Sequence, residues 1–269
     1  VRGTALLLLL LLAAGCSSAH SATTAPPSTS TTTSLSTVAN PKLNEQCPNQ
    51  TDGISAVPFT FRAGDGTKLL GLELGTGARG VVMVHELGGG ELCGWLPYGS
   101  YLAAHGVHVL LYDTRCTGAS GCPGGDRAGD IVSDVAGAKA ELIRRGARSV
   151  AVTGASYGGA IALAAAVAVH GLTACVVLSG DLYSQDLGGI TGQGAAHRLA
   201  VPLFYAVATG DGDRLTTARR IVARVKPSLV TLRVLGGPAH GWDLLQDQAS
   251  GRFTPLAAQV LAFLHAHTR

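Results

Sequence analysis

Charge is scarce in this sequence. Only 14% of its 269 residues are Asp, Glu, Lys or Arg, and the formal net charge is +3. No run of Lys and Arg exceeds two neighbours, so the basic stripe that neutralises nucleic-acid phosphates is missing and no nucleic-acid partner is expected. The six cysteines form no C-x-x-C pair, which argues against a zinc ribbon or finger. No segment recurs at a fixed period, which argues against solenoid and propeller arrays. The apolar run Leu6–Leu12 is far too short to span a bilayer. What the chain does have is apolar residues, 46% of the total, and 37 glycines. That length and composition suit one large core plus extra segments.

The extra segments lie at the N-terminus. Arg2, the apolar run and Ala13-Ala14-Gly15-Cys16 have the basic, apolar and small-residue order of a secretory signal. Leu12-Ala13-Ala14-Gly15-Cys16 resembles the bacterial lipoprotein signal box, in which the cysteine becomes the lipid-modified first residue. The resemblance implies a signal peptide over 1–15, lipidation at Cys16 and an anchor on the outer face of the bacterial cell membrane. Ordinary cleavage and secretion is the alternative. Residues 17–40 are almost entirely Ser, Thr, Ala and Pro. Such a stretch cannot bury enough apolar surface to offset its ordering entropy, so 16–56 is expected to be a disordered tether and 57–269 the folded domain.

Within that domain strands and helices alternate. Val57–Phe61 and Lys68–Leu74 flank Asp65-Gly66 and read as a hairpin. Gly80–Val84 is continuously apolar, as in a strand covered on both faces. Helical spacing marks 95–105, 130–145, 157–170, 215–225 and 255–267. Further strands are expected at 107–112, 149–153, 174–178, 203–208 and 229–235. This order predicts an α/β fold: a mostly parallel sheet with helices on both faces.

Gly154-Ala155-Ser156-Tyr157-Gly158 matches G-x-S-x-G. Composition alone would give about 0.3 such matches in a chain of this kind, so context decides. Here a predicted strand precedes the motif and a predicted helix follows it, as a nucleophile elbow requires. The glycines are needed because bulk two residues either side of the serine would strike the neighbouring strand and helix. A serine hydroxyl needs a base, and the base needs an orienting acid. His240, in Gly237-Pro238-Ala239-His240-Gly241 just after the last strand, is the candidate base. The acid is expected between serine and histidine, where Asp211 and Asp213 follow the strand 203–208; Asp211 is preferred, with Asp213 as the alternative. Two backbone N–H groups must stabilise the oxyanion. Tyr157 is the expected first donor. Leu87 is the expected second, with Glu86 as the alternative, from the loop His85-Glu86-Leu87-Gly88. His85 then shapes the loop and is not the base. No metal or cofactor is expected.

From residue 57 to 267 the chain resembles an α/β-hydrolase. His85-Glu86-Leu87 looks like the H-E-[IL] loop of dienelactone-hydrolase-like members, with Ser156 where those often carry cysteine. Asp113-Thr114-Arg115-Cys116-Thr117-Gly118-Ala119-Ser120 is similar to the family's D-x-R-G-x-G-x-S segment, with Cys116 in place of a glycine. The family pattern sets the acid nine residues after the proline that opens its strand, which from Pro202 is Asp211. Few residues separate Leu178 from Leu203, so no large cap domain is expected. The resemblance implies serine-esterase chemistry on a small-molecule acyl ester. A peptidase with the same triad, or a non-catalytic surface lipoprotein on this scaffold, are the other readings. Export agrees with disulfides. Cys116 and Cys122 flank a Gly-containing turn and are the preferred pair, leaving Cys47 with Cys93. Cys175 lies in an apolar strand and is expected to be a buried free thiol.

Overall fold

The computed structural model describes residues 54–88, 91–124, 130–181, 192–247 and 249–269, together with Glu45, Cys47 and Pro48. Cys16, the signal and nearly all of the expected tether lie outside the described residues.

The chain opens with a hairpin. β1 (Ala56–Arg62) and β2 (Lys68–Leu74) pair antiparallel, with Arg62 opposite Lys68. Asp65 accepts the Thr67 N–H at 3.0 Å, and Gly66 takes a φ of +90° that a side chain would disfavour. β3 (Arg79–Val84), β4 (His108–Tyr112), β5 (Ser149–Ala155), β6 (Leu172–Leu178), β7 (Leu203–Ala208) and β8 (Val230–Leu235) complete one eight-stranded sheet. Its order is β1-β2-β4-β3-β5-β6-β7-β8, and every pairing from β4 onward is parallel.

Period-two alternation divides the core in two. Val82 and Val84 pack on one face with Val152, Val177 and Tyr205, under α2 (Ile131–Arg144), α3 (Tyr157–Ala168) and α5 (Arg214–Val222). Val81 and Met83 pack on the other with Leu111, Val176 and Phe204, under α1 (Leu96–Ala104) and α6 (Pro255–His267). Both faces are therefore dry, which explains why the middle strands read as unbroken apolar runs. α3 is buried from Gly158 to Ala166. Its Gly and Ala content lets it lie close to the sheet: a Cβ at Gly159 would come within 2.9 Å of the Gly180 Cα.

The expected elements are all present, with small shifts at their ends. The helix read to 170 stops at Ala168, because Val169 is already extended. The helix read from 95 begins at Leu96 and is preceded by a 3-10 turn, Glu91–Trp95. Two described residues ahead of Val57 are joined to the sheet domain. Ala56 pairs with Leu74, and Cys47 is buried and bonded to Cys93. The second bridge joins Cys116 to Cys122. Cys175 is a free buried thiol whose pKa is pushed up by desolvation. Between β6 and β7 the described residues hold one short helix, α4 (Gly192–Ala196). Among the described residues no helix is long and apolar enough to cross a membrane.

Candidate active site

The sheet reverses its direction of growth at β3: the chain goes to β4 on one side and then to β5 on the other. The crevice beyond the carboxyl ends of strands at such a point is where open α/β sheets bind ligands. The loop after β3 and the turn after β5 both open into it.

Ser156 is that turn. It holds φ 49° and ψ −117° between the last residue of β5 and the first of α3. A non-glycine residue at positive φ is strained and persists only where its surroundings over-determine it. Here they do. The Ser156 N–H donates to the Leu178 carbonyl at 2.8 Å, and its own carbonyl accepts from Gly159 and Asp181. The flanking glycines are required by contact: a Cβ at Gly154 would stand 2.0 Å from the Gly158 carbonyl oxygen, and one at Gly158 would stand 2.4 Å from those of Val84 and His85. The strand and helix are thus forced into near-contact, with the serine at their tip.

Asp211 and His240 meet on neighbouring loops. Asp211 follows β7 and His240 follows β8, at the same sheet edge as Ser156. His240 Nδ1 lies 2.8 Å from Asp211 Oδ1. The Asp211 side chain is 9% exposed and that of His240 35%, so the acid is covered and the imidazole edge is reachable. Backbone bonds hold the two loops together: Thr209 N–H donates to Leu235 O and Gly210 N–H to Gly237 O, both at 2.8 Å. Asp213 is not in this pair. It is exposed at the N-cap position of α5, where its side chain makes no capping hydrogen bond.

The loop after β3 is fixed by His85, which is fully buried. The Thr114 N–H donates to its Nε2 at 3.2 Å, so Nε2 is the acceptor and Nδ1 carries the proton, donating to the Glu86 carbonyl at 2.8 Å. Burial lowers the pKa of His85 and keeps the ring neutral. Thr117 Oγ1 also lies 3.2 Å from Nε2. The Cys116–Cys122 loop thereby supports the main chain that leads to Leu87. Leu87 itself is 60% exposed, standing at the open mouth. Tyr157 is half-buried at the start of α3.

Further side chains support the site, Asp113 and Gly118 from the segment that resembles the family's and the others without a sequence signal. Asp113 accepts the Leu92 and Ala119 N–H groups, and Gly118 has no room for a Cβ, which would lie 2.0 Å from that carboxylate. Arg214 bridges Asp181 at 2.8 Å beside the serine turn. Trp242 lies flat over Gly94, where a Cβ would come within 2.2 Å of its ring, and meets Trp95 edge-on at 5.7 Å. Trp95 in turn donates to the Val84 carbonyl at 3.0 Å. Among the described residues no group of three or more His, Cys, Asp and Glu side chains is arranged to hold a metal ion.

Comparison with known proteins identifies the family and the fold. The model of the alpha/beta hydrolase family matches residues 81–267. The chain belongs to the alpha/beta hydrolase family. No curated relative matches it. Among solved structures it is similar to an esterase of Pyrococcus furiosus, at 18% identity and a TM-score of 0.66, covering 80% of this chain and 92% of that one. It is also similar to an esterase of Exiguobacterium antarcticum, at 16% identity and a TM-score of 0.58, covering 78% of this chain and 100% of that one. An alpha/beta hydrolase of Sphaerobacter thermophilus matches at 15% identity and a TM-score of 0.58, over 76% and 99% of the two chains. At these identities the likeness concerns the fold alone.

Proposed function

We propose that this hydrolase cleaves small carboxylic esters through an acyl-enzyme on Ser156. The observation that carries the reading is the pairing of a strained serine turn after β5 with an Asp211–His240 contact of 2.8 Å at the same sheet edge. His240, its Nδ1–H held by Asp211, takes the proton from the Ser156 hydroxyl as the oxygen attacks the ester carbonyl. It then gives that proton to the departing alkoxide. The oxyanion formed in between is met by the backbone N–H groups of Leu87 and Tyr157. Water, deprotonated by the same imidazole, releases the acid and restores Ser156.

Esters are favoured over amides because, among the described residues, the segment between β6 and β7 holds only the short helix α4. Little apolar surface is available to enclose a long acyl chain or a peptide. Two of the similar structures are esterases by name. Labelling with a fluorophosphonate, followed by kcat/KM on acetyl, butyryl and palmitoyl esters and on aminoacyl amides, tests the reading. Single-site labelling and a preference for acetyl and butyryl esters are expected. A preference for palmitoyl esters or for amides would replace it with a lipase or a peptidase.

The same proposal places the enzyme outside the cell, held by a lipid on Cys16. Each buried methylene of such an anchor adds about 0.8 kcal/mol of membrane affinity. Cys16→Ala is therefore expected to move the protein from the membrane pellet to the soluble fraction on cell fractionation. Retention of that variant in the pellet would mean that the anchor is elsewhere.

A further inference from the structure

The proposed mechanism leaves the carboxylate of Glu86 unused. Glu86 follows His85 in the loop that leads to Leu87, and it points at the loop of His240. Its carboxylate accepts the backbone N–H of Trp242. Its second oxygen, Oε2, is buried and has no hydrogen-bond partner among the described residues. That oxygen presses on Gly241, the residue after His240: a Cβ there would stand 1.7 Å from it, and Gly241 holds a left-handed φ of +55°. Glu86 thus spans the gap between the loop of the expected oxyanion donor and the loop of the expected base.

Its surroundings suit an acid better than an anion. The charged groups acting on it are Asp243, from the 3-10 turn Gly241–Leu244, and Asp211, from the loop after β7. Both are carboxylates. Arg214, at the start of α5, is engaged with Asp181, and Glu91 adds a further negative charge near His85. Burial first, and then these like charges, push the Glu86 pKa up to about 7. An ionised carboxylate here would hold a buried oxygen with no donor beside two other anions. The neutral acid avoids that cost. Asp211 Oδ2, on the loop after β7, is likewise buried without a partner among the described residues.

We propose that Glu86 is a positioning residue that works in its neutral form: protonated, it latches the Leu87 loop to the His240 loop, and its ionisation unlatches them. The inference rests on the triad reading above. Its sign is opposite to that of the base. His240 must be neutral to accept the serine proton, which favours higher pH. Glu86 must keep its proton, which favours lower pH. The alkaline limb of the pH–rate profile then belongs to Glu86.

The test compares wild type, Glu86→Gln and Glu86→Ala on an acetyl ester from pH 5 to 9. Wild-type kcat/KM is expected to fall above pH about 7, by about tenfold for each further unit. Glu86→Gln, neutral and of the same shape, should keep wild-type activity at pH 6 within about threefold and lose the alkaline limb. Glu86→Ala should be impaired at every pH. The proton should also register without catalysis. A carboxyl whose folded pKa is raised stabilises the fold below its unfolded value and loses that contribution as pH rises through the folded one. The wild-type Tm should therefore fall relative to that of Glu86→Gln between pH about 4.5 and about 7. An alkaline limb that survives in Glu86→Gln, a Glu86→Gln as impaired as Glu86→Ala, or a Tm difference that does not move with pH would each overturn the proposal. None of these touches the triad, which fails separately if Ser156→Ala remains active.

Discussion

Ser156→Ala is expected to lower kcat on short-chain esters by about 10⁶ and to abolish fluorophosphonate labelling, with an unchanged Tm. Removing a triad nucleophile elsewhere costs a factor of that order, because the remaining groups cannot supply an attacking atom. The fold should tolerate the change. Ser156 is held by its backbone, through Leu178, Gly159 and Asp181. Alanine at φ 49° carries the same Cβ strain that serine already bears. A variant that turns over esters at more than a hundredth of the wild-type rate would remove Ser156 from the mechanism.

Asp211→Asn should cost kcat on the order of 10⁴, while Asp213→Asn should leave it within about twofold. The difference follows from what each carboxylate touches. Asp211 Oδ1 receives the His240 Nδ1–H at 2.8 Å, which leaves Nε2 free of a proton and able to accept one. An amide can present its NH₂ to the same nitrogen and stabilise the wrong tautomer, and it offers no charge to the imidazolium. Asp213 is exposed at the start of α5 and loses only a favourable charge at a helix N-terminus. The opposite ranking would return the role to Asp213.

The choice between those two aspartates marks a limit of the sequence. Both follow β7 at the right place in chain order, and only the positions of the loops separate them. The resemblance to the family favoured Asp211 by counting from Pro202, and spacing alone could not. What was legible was local. Val81–Val84 had to be a two-sided strand because nothing polar interrupts it. Gly154 and Gly158 announced a sharp turn because bulk at either position would strike the neighbouring strand or helix. Cys116 and Cys122 lie close enough in sequence to be paired on sight. The rest depended on encounters between distant segments. Glu86 and Gly241 are separated by 155 positions, and no periodicity connects them. The burial of a carboxyl without a partner is invisible until both loops are in place. His85 reads in sequence as one of nine histidines, and its tautomer is set by a main-chain N–H at Thr114.

The Cys47–Cys93 bridge has a mechanical consequence. β1 lies at the edge of the sheet, bound to β2 alone, and an edge strand peels from its end one hydrogen bond at a time. Tension on the chain ahead of Cys47 does not reach β1. It passes through the sulfur–sulfur bond to Cys93, into the 3-10 turn wedged beside Trp242, and so to the middle of the molecule. A pull on the N-terminal segment is borne by a covalent link, and the strand that would unzip first under tension is kept slack.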